Sequence, residues 1–282
     1  MYYQNYIKEM TRLLTLKGCT PGTIQIYEIC MNRVLTYLDK SVDDITTDDL
    51  SNYLHHLITL GRANSTINNY HSIINFFFSK VLRKHHIVEP IPFMRKPKKL
   101  PETLSIGEIN AILNCVRNLK HKTIFMTIYG SGLRIGEALR LRVSDIDSKK
   151  MQLRIKQGKG RKDRYTILSE RNLKGLRDYY RAYQPDDLLF FPHSYKDKSM
   201  SKKTLQTVFK SALAAAGINK KVSPHSLRHA FAGHLLENGT DIYTIKSLLG
   251  HSSLRSTEVY LQLSPSLVFS TKSPLDQEAA NE

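Results

Sequence analysis

Proline decides the outline of this chain. Pro90, Pro92, Pro97 and Pro101 fall within fourteen residues, 88–101, among Arg95, Lys96, Lys98 and Lys99. Each proline fixes φ and removes a backbone donor, so neither a helix nor a central strand can pass through this stretch. The chain must therefore fold as two bodies, predicted at 1–89 and 104–263. Residues 90–103 form an extended basic linker between them, and 264–282 form a polar tail without an apolar stripe. With 282 residues in all, both bodies are long enough to bury a core.

The first body reads as helices. Thr20 before Pro21 is a cap residue followed by proline at the first helical position, and Ile24, Tyr27, Met31 and Leu38 then recur on one face. Thr46 or Thr47 caps the next helix, whose stripe is Leu50, Tyr53, Leu54 and Leu57. A third begins at Ser65 and carries Ile67, Tyr70, Ile73, Ile74, Phe77 and Val81. With an earlier helix around Met10 and Leu14 this makes a four-helix bundle.

The second body mixes patterns. Helical periodicity over 105–116 and 123–141 is broken at Gly130-Ser131-Gly132. Alternation over 151–156 and a β-branched run over 164–168 predict two short strands joined by a turn, Gly158-Lys159-Gly160. Helices follow at 169–183, 201–216, 224–238 and 241–249, then a short one holding Tyr260. The fold class is mainly α with a small antiparallel β-sheet: a helical bundle followed by an α+β domain.

Charge narrows the partner. There are 42 Lys+Arg against 25 Asp+Glu, a net of +17. Residues 1–96 carry +3 of this and 97–282 carry +14, so the second body is built to meet a polyanion. Three cysteines, Cys19, Cys30 and Cys115, are odd in number and lack metal-type spacing, which predicts a reducing, cytoplasmic setting. Neither a membrane span nor a secretory signal is expected.

The chemistry-bearing residues collect at breaks in the helical pattern. Arg134 follows the glycine turn, and Lys159 tips the β-turn. His225 and Arg228 share the first turn of a helix, His251 follows Leu249-Gly250, and Tyr260 lies nine residues on. Two guanidiniums, an amine, two imidazoles and a phenol, with no carboxylate cluster, suit phosphoryl transfer without a metal. Arginine forks grip non-bridging oxygens, tyrosine attacks, and lysine or histidine protonates the departing alkoxide. His225 and His229 are spaced like zinc ligands, but no Glu follows His225 and no third ligand is evident, so His229 and His234 are assigned to packing or water.

The run Gly130-Ser131-Gly132-Leu133-Arg134-Ile135-Gly136-Glu137, with Gly158-Lys159-Gly160, His225-Ser226-Leu227-Arg228-His229, Leu249-Gly250-His251 and Tyr260, resembles the tyrosine recombinase family of phage integrases, transposon integrases and Xer recombinases. The resemblance implies that Tyr260 attacks a scissile phosphate to leave a 3′-phosphotyrosine and a free 5′-hydroxyl. Arg134 and Arg228 would clamp the phosphate and Lys159 would protonate the leaving oxygen. His225 would be acid/base partner to the nucleophile, His251 a donor to the phosphate, and Glu137 an orienting accessory. It further implies an N-terminal SAM-like core-binding domain, double-stranded DNA as partner, and no cofactor, ATP or metal. The working form would be a homo-tetramer on paired sites that passes through a Holliday junction, with the tail docked on a neighbouring subunit and mobile in a monomer. Without a further arm-binding domain, a Xer-like or transposon-encoded enzyme is expected. The rival reading is a non-catalytic DNA-binding protein on the same scaffold; a metal-dependent nuclease would need clustered carboxylates.

Overall fold

The computed structural model describes residues 3–95, 102–156, 163–191 and 200–263. It divides into two compact units, Met1–Lys98 and Lys99–Glu282.

In the first unit, α1 (Gln4–Leu16), α2 (Pro21–Leu38), α3 (Thr47–Thr59) and α4 (Asn64–Phe76) close around Met10, Met31, Val34, Leu50 and Ile74, all fully buried. The caps are local chemistry. Thr20 Oγ1 accepts from the Thr23 amide, and Thr46 exchanges bonds with Asp49 in a capping box. The fourth helix departs from the single α-helix that its stripe predicts. After Phe76 it becomes a π-helical turn, Phe77–Val81, whose wider winding lets consecutive Phe77 and Phe78 both face the core.

The proline-rich segment also begins differently from expectation. Through Arg95 it is tied to α4: the Asn68 side chain brackets Met94 with two 2.9 Å bonds, His71 Nε2 donates to the Ile91 carbonyl at 2.8 Å, and Asn64 reaches the Arg95 carbonyl at 3.0 Å. Polar side chains on the helix supply partners that a proline-broken segment cannot find in its own backbone.

The second unit opens with α5 (Ile106–Cys115), α6 (Leu119–Ser131) and the one-turn α7 (Ile135–Ala138). Strands β1 (Ile146–Asp147), β2 (Gln152–Ile155) and β3 (Arg164–Ile167) make an antiparallel sheet in the order β1-β2-β3, with Leu153 opposite Thr166. The two-residue β1 is too short to leave a periodic signal. Then come α8 (Glu170–Tyr183), α9 (Lys202–Ala215), α10 (Pro224–Glu237), α11 (Ile242–Leu249) and α12 (Val259–Leu263). The main core, including Ile112, Phe125, Ile128, Leu153, Phe209 and Leu227, holds α5, α6, α8 and α10 against the sheet. A smaller cluster of Phe231, Ala232, Leu236, Ile245, Leu249 and Tyr260 joins α10, α11 and α12. None of the helices among the described residues is long and apolar enough to cross a membrane.

Candidate active site

Two helix ends build the centre of the site. α6 terminates at Gly132 and α11 at Gly250, both with φ of +64°, the left-handed conformation that glycine adopts without penalty. A Cβ on Gly132 would lie 2.5 Å from the Phe231 ring, and one on Gly250 would lie 2.6 Å from Arg164 Cδ, so neither turn has room for a side chain. Each end leaves carbonyls without helical partners. Arg228, near the start of α10 and only 1 % exposed, uses them. Its Nη1 donates to the Gly132 carbonyl and its Nη2 to the Leu249 carbonyl, both at 2.7 Å. A buried cation is thus held between the negative ends of two helices, with its plane fixed by backbone. A further Nη2 hydrogen goes to His251 Nε2 at 3.1 Å, which leaves the Nε hydrogen and the second on Nη1 for an anion.

Glu137 balances this cation and two others. Its carboxylate accepts from the Arg134 amide at 2.9 Å and from Arg134 Nη1 at 2.7 Å, capping α7. It takes two further bonds, at 3.0 and 2.8 Å, from Arg164 on β3, and lies 3.6 Å from Arg228 Nη1. Burial alone would raise its pKa, but the bonds and charge of Arg164, reinforced by Arg134, hold it down at about 2. Arg164 also donates from Nε to the Leu248 carbonyl at 2.8 Å, which fastens the strand to the end of α11. Three guanidiniums around one carboxylate leave the site an excess of positive charge.

The acid/base groups stand around this cluster. His251, directly after the Gly250 turn, meets Arg228 Nη2 through Nε2 at 3.1 Å and Thr257 Oγ1 through Nδ1 at 3.0 Å. Because Arg228 can only donate, the proton of this ring sits on Nδ1. Burial, then the charges of Arg228 and Arg134, push His251 down to about 4. Burial, seconded by Arg134, lowers Arg228 to about 10, which leaves it charged at neutral pH. Tyr260, on α12, is 1 % exposed; burial raises its pKa while Arg228 and Arg134 oppose the rise. His225 sits at the exposed start of α10, where Ser223 Oγ accepts from the His225 amide at 3.3 Å. The packing around its ring, with Arg228 and Arg134, lowers its pKa.

Arg134, Glu137, Arg228, His251 and Tyr260 are therefore brought together from α6–α7, α10, the end of α11 and α12. His225 lies at the rim. Lys159 and its glycine turn fall outside the described residues, as does the tail 264–282.

Residues 102–266 match the phage integrase family, and residues 6–87 match the phage integrase N-terminal SAM-like domain. The chain belongs to this family of tyrosine recombinases. It is 31% identical over 261 residues to tyrosine recombinase XerA of Thermococcus onnurineus, covering 91% of this chain and 90% of that one. To tyrosine recombinase XerD of Rickettsia bellii it is 32% identical over 278 residues, covering 89% and 91%. Among solved structures, a XerH site-specific recombinase bound to a palindromic difH substrate, a post-cleavage complex, shares the fold. The TM-score is 0.74 at 21% identity, covering 89% of this chain and 79% of that one. The enzymes of this family cleave and rejoin DNA, and the chain is a site-specific recombinase.

Two residues of this cluster escape a reading of the sequence. Arg164 opens the strand Arg164-Tyr165-Thr166-Ile167, in which Tyr165 is 58% exposed and Thr166 buried. Strand alternation then carries Arg164 inward with Thr166, and the sign available beforehand was only a cation in phase with a threonine. His229 corrects the assignment to packing or water, for its Nδ1 lies 3.1 Å from Tyr260 Oη. His234 does pack, against Tyr129, whose hydroxyl it meets at 3.0 Å. Local spacing could not separate the two, because the partner of His229 lies 31 residues away.

Proposed function

We propose that this recombinase breaks DNA through a 3′-phosphotyrosine at Tyr260, in the cytoplasm and without metal or nucleotide. The observation carrying this reading is the convergence on one carboxylate, Glu137, of arginines from three separate segments, with Tyr260 and two histidines beside them. Arg134 and Arg228 grip the non-bridging oxygens of the scissile phosphate and offset the charge that grows as a fifth oxygen approaches phosphorus. His251 gives a hydrogen bond to the same phosphate once its Nε2 carries a proton. Lys159 protonates the departing 5′-oxygen, and His225 joins the proton traffic around the nucleophile. Glu137 keeps the arginines apart and oriented. The P–O bond energy stays in the phosphotyrosine, so a 5′-hydroxyl from a partner strand reverses the step. The assembly that performs the exchange is a homo-tetramer on two paired sites, passing through a Holliday junction.

A nicked suicide duplex, from which the cleaved 5′ fragment diffuses away, tests this. The native chain accumulates a covalent protein–DNA adduct in EDTA and Tyr260→Phe forms none. Adduct formation by Tyr260→Phe, or cleavage that stops in EDTA, contradicts it.

A further inference from the structure

The hydroxyl of Tyr260 already has a partner of the right chemistry. The ring is buried with Phe231, Leu236, Ile245 and Leu249, and its oxygen meets His229 Nδ1 at 3.1 Å. His229 stands one helical turn beyond His225 on the same face of α10. The His225 ring packs edge-on against it, with centroids 4.7 Å apart at 83°, between His229 and the exposed start of the helix.

We propose that His229 is a further catalytic residue, the group that takes the proton of the Tyr260 hydroxyl as that oxygen attacks phosphorus, in place of His225, to which the family resemblance gives that role. The proposal rests on the recombinase reading above. In the step, the Tyr260 Oη–P bond forms and the P–O5′ bond breaks. The Oη proton passes to His229 Nδ1, and the 5′-oxygen takes its proton from the separate acid assigned to Lys159. Rejoining runs the same transfers backwards, with His229 returning its proton to the phenol.

The electrostatics make this base answer to substrate. The titratable and charged groups around His229 are His225 and Arg228 on its own helix, His251 after α11, and Tyr260 on α12. Burial, then His225 and Arg228, hold the free imidazole down at about 4, so at neutral pH it is unprotonated and accepts the phenol hydrogen. A phosphodiester drawn between Arg134 and Arg228 brings a negative charge that offsets those cations and raises the proton affinity of His229. Proton transfer is then easier with the scissile phosphate in place.

A merely structural bond would hold Tyr260 in position and nothing more, and His229→Asn separates the two roles. The amide oxygen of asparagine can accept near the Nδ1 position but cannot take a proton. The test is adduct formation by the full chain on the suicide duplex from pH 6 to 9, for the native protein, His229→Asn and His229→Gln. It is repeated on a duplex with a bridging 5′-phosphorothiolate, whose sulfur leaves without a proton. The native rate is expected to be nearly flat. Both variants should fall about 100-fold or more at pH 7 and recover by about tenfold per pH unit as the phenol ionises unaided, and the phosphorothiolate should restore neither. A native rate and profile in His229→Asn, or restoration by the phosphorothiolate, overturns the assignment. A readout that needs no variant is the native rate on the phosphorothiolate in D2O, where the phenol proton is the one in flight. It should slow by about twofold, and no slowing overturns the assignment. A native chain that forms no adduct on either duplex overturns the recombinase reading itself.

Discussion

Arg228 and Glu137 are charges that the fold buries at some cost and then holds in place. Arg228 spends two hydrogens on the carbonyls of Gly132 and Leu249. Lysine there would keep the charge but not the planar fork. Arg228→Lys should therefore cut adduct formation by about 100-fold, close to 3 kcal/mol of transition-state stabilisation, while non-specific DNA affinity changes by less than about threefold. Cleavage near the native rate would show that Arg228 is not a clamp. For Glu137 the consequence is in stability. Its folded pKa lies near 2, below the usual 4.5. A depressed carboxyl stabilises the fold fully above its unfolded value and loses that contribution as pH falls from 4.5 toward 2. The amount is on the order of 3 kcal/mol. Urea unfolding should show Glu137→Gln well below the native protein at pH 7, with the gap shrinking by pH 3; an equal gap at both would contradict the ion network.

At the scale of elements, the glycine turns that end α6 and α11 decide where the site forms. Gly132, Gly239 and Gly250 all have positive φ, but a Cβ on Gly239 meets nothing within 4 Å, whereas one on Gly132 or Gly250 meets Phe231 or Arg164 at 2.5 to 2.6 Å. Gly239→Ala should cost about 1 kcal/mol from backbone strain alone. Gly132→Ala and Gly250→Ala should each cost clearly more and also slow cleavage, because Phe231 or Arg164 must move. Equal losses at all three in urea unfolding would show that the turns do not hold the site. Much of this level was legible in the sequence. Thr20-Pro21, Thr46 or Thr47, and the Gly250 stop are short-range chemistry that marks helix ends within a residue or two. The π turn at Phe77 and the facing of strand β3 were not legible, because burial there is set by the opposite wall: two phenylalanines need one core, and Glu137 needs Arg164. Within the site, Arg134, Arg228 and His251 stand at local breaks in pattern, while the choice of Tyr260 rests on the family resemblance. Arg164 and His229 could not be read, since they join the cluster through contacts spanning 27 and 31 residues.

For the whole molecule the governing quantity is charge. The excess of +14 in residues 97–282 against +3 in 1–96 places the stronger polyanion attraction in the unit that contains Tyr260. Non-specific DNA affinity should fall steeply between 50 and 200 mM salt, by about 10³ or more if six or more phosphates are contacted. A flat salt response would contradict phosphate-led binding. The most direct measurement of the central claim is peptide mapping by mass spectrometry of the adduct trapped on a suicide duplex. The expected result is a 3′-phosphoryl linkage on Tyr260; a linkage on any other residue, or strand cleavage with no linkage at all, would contradict it.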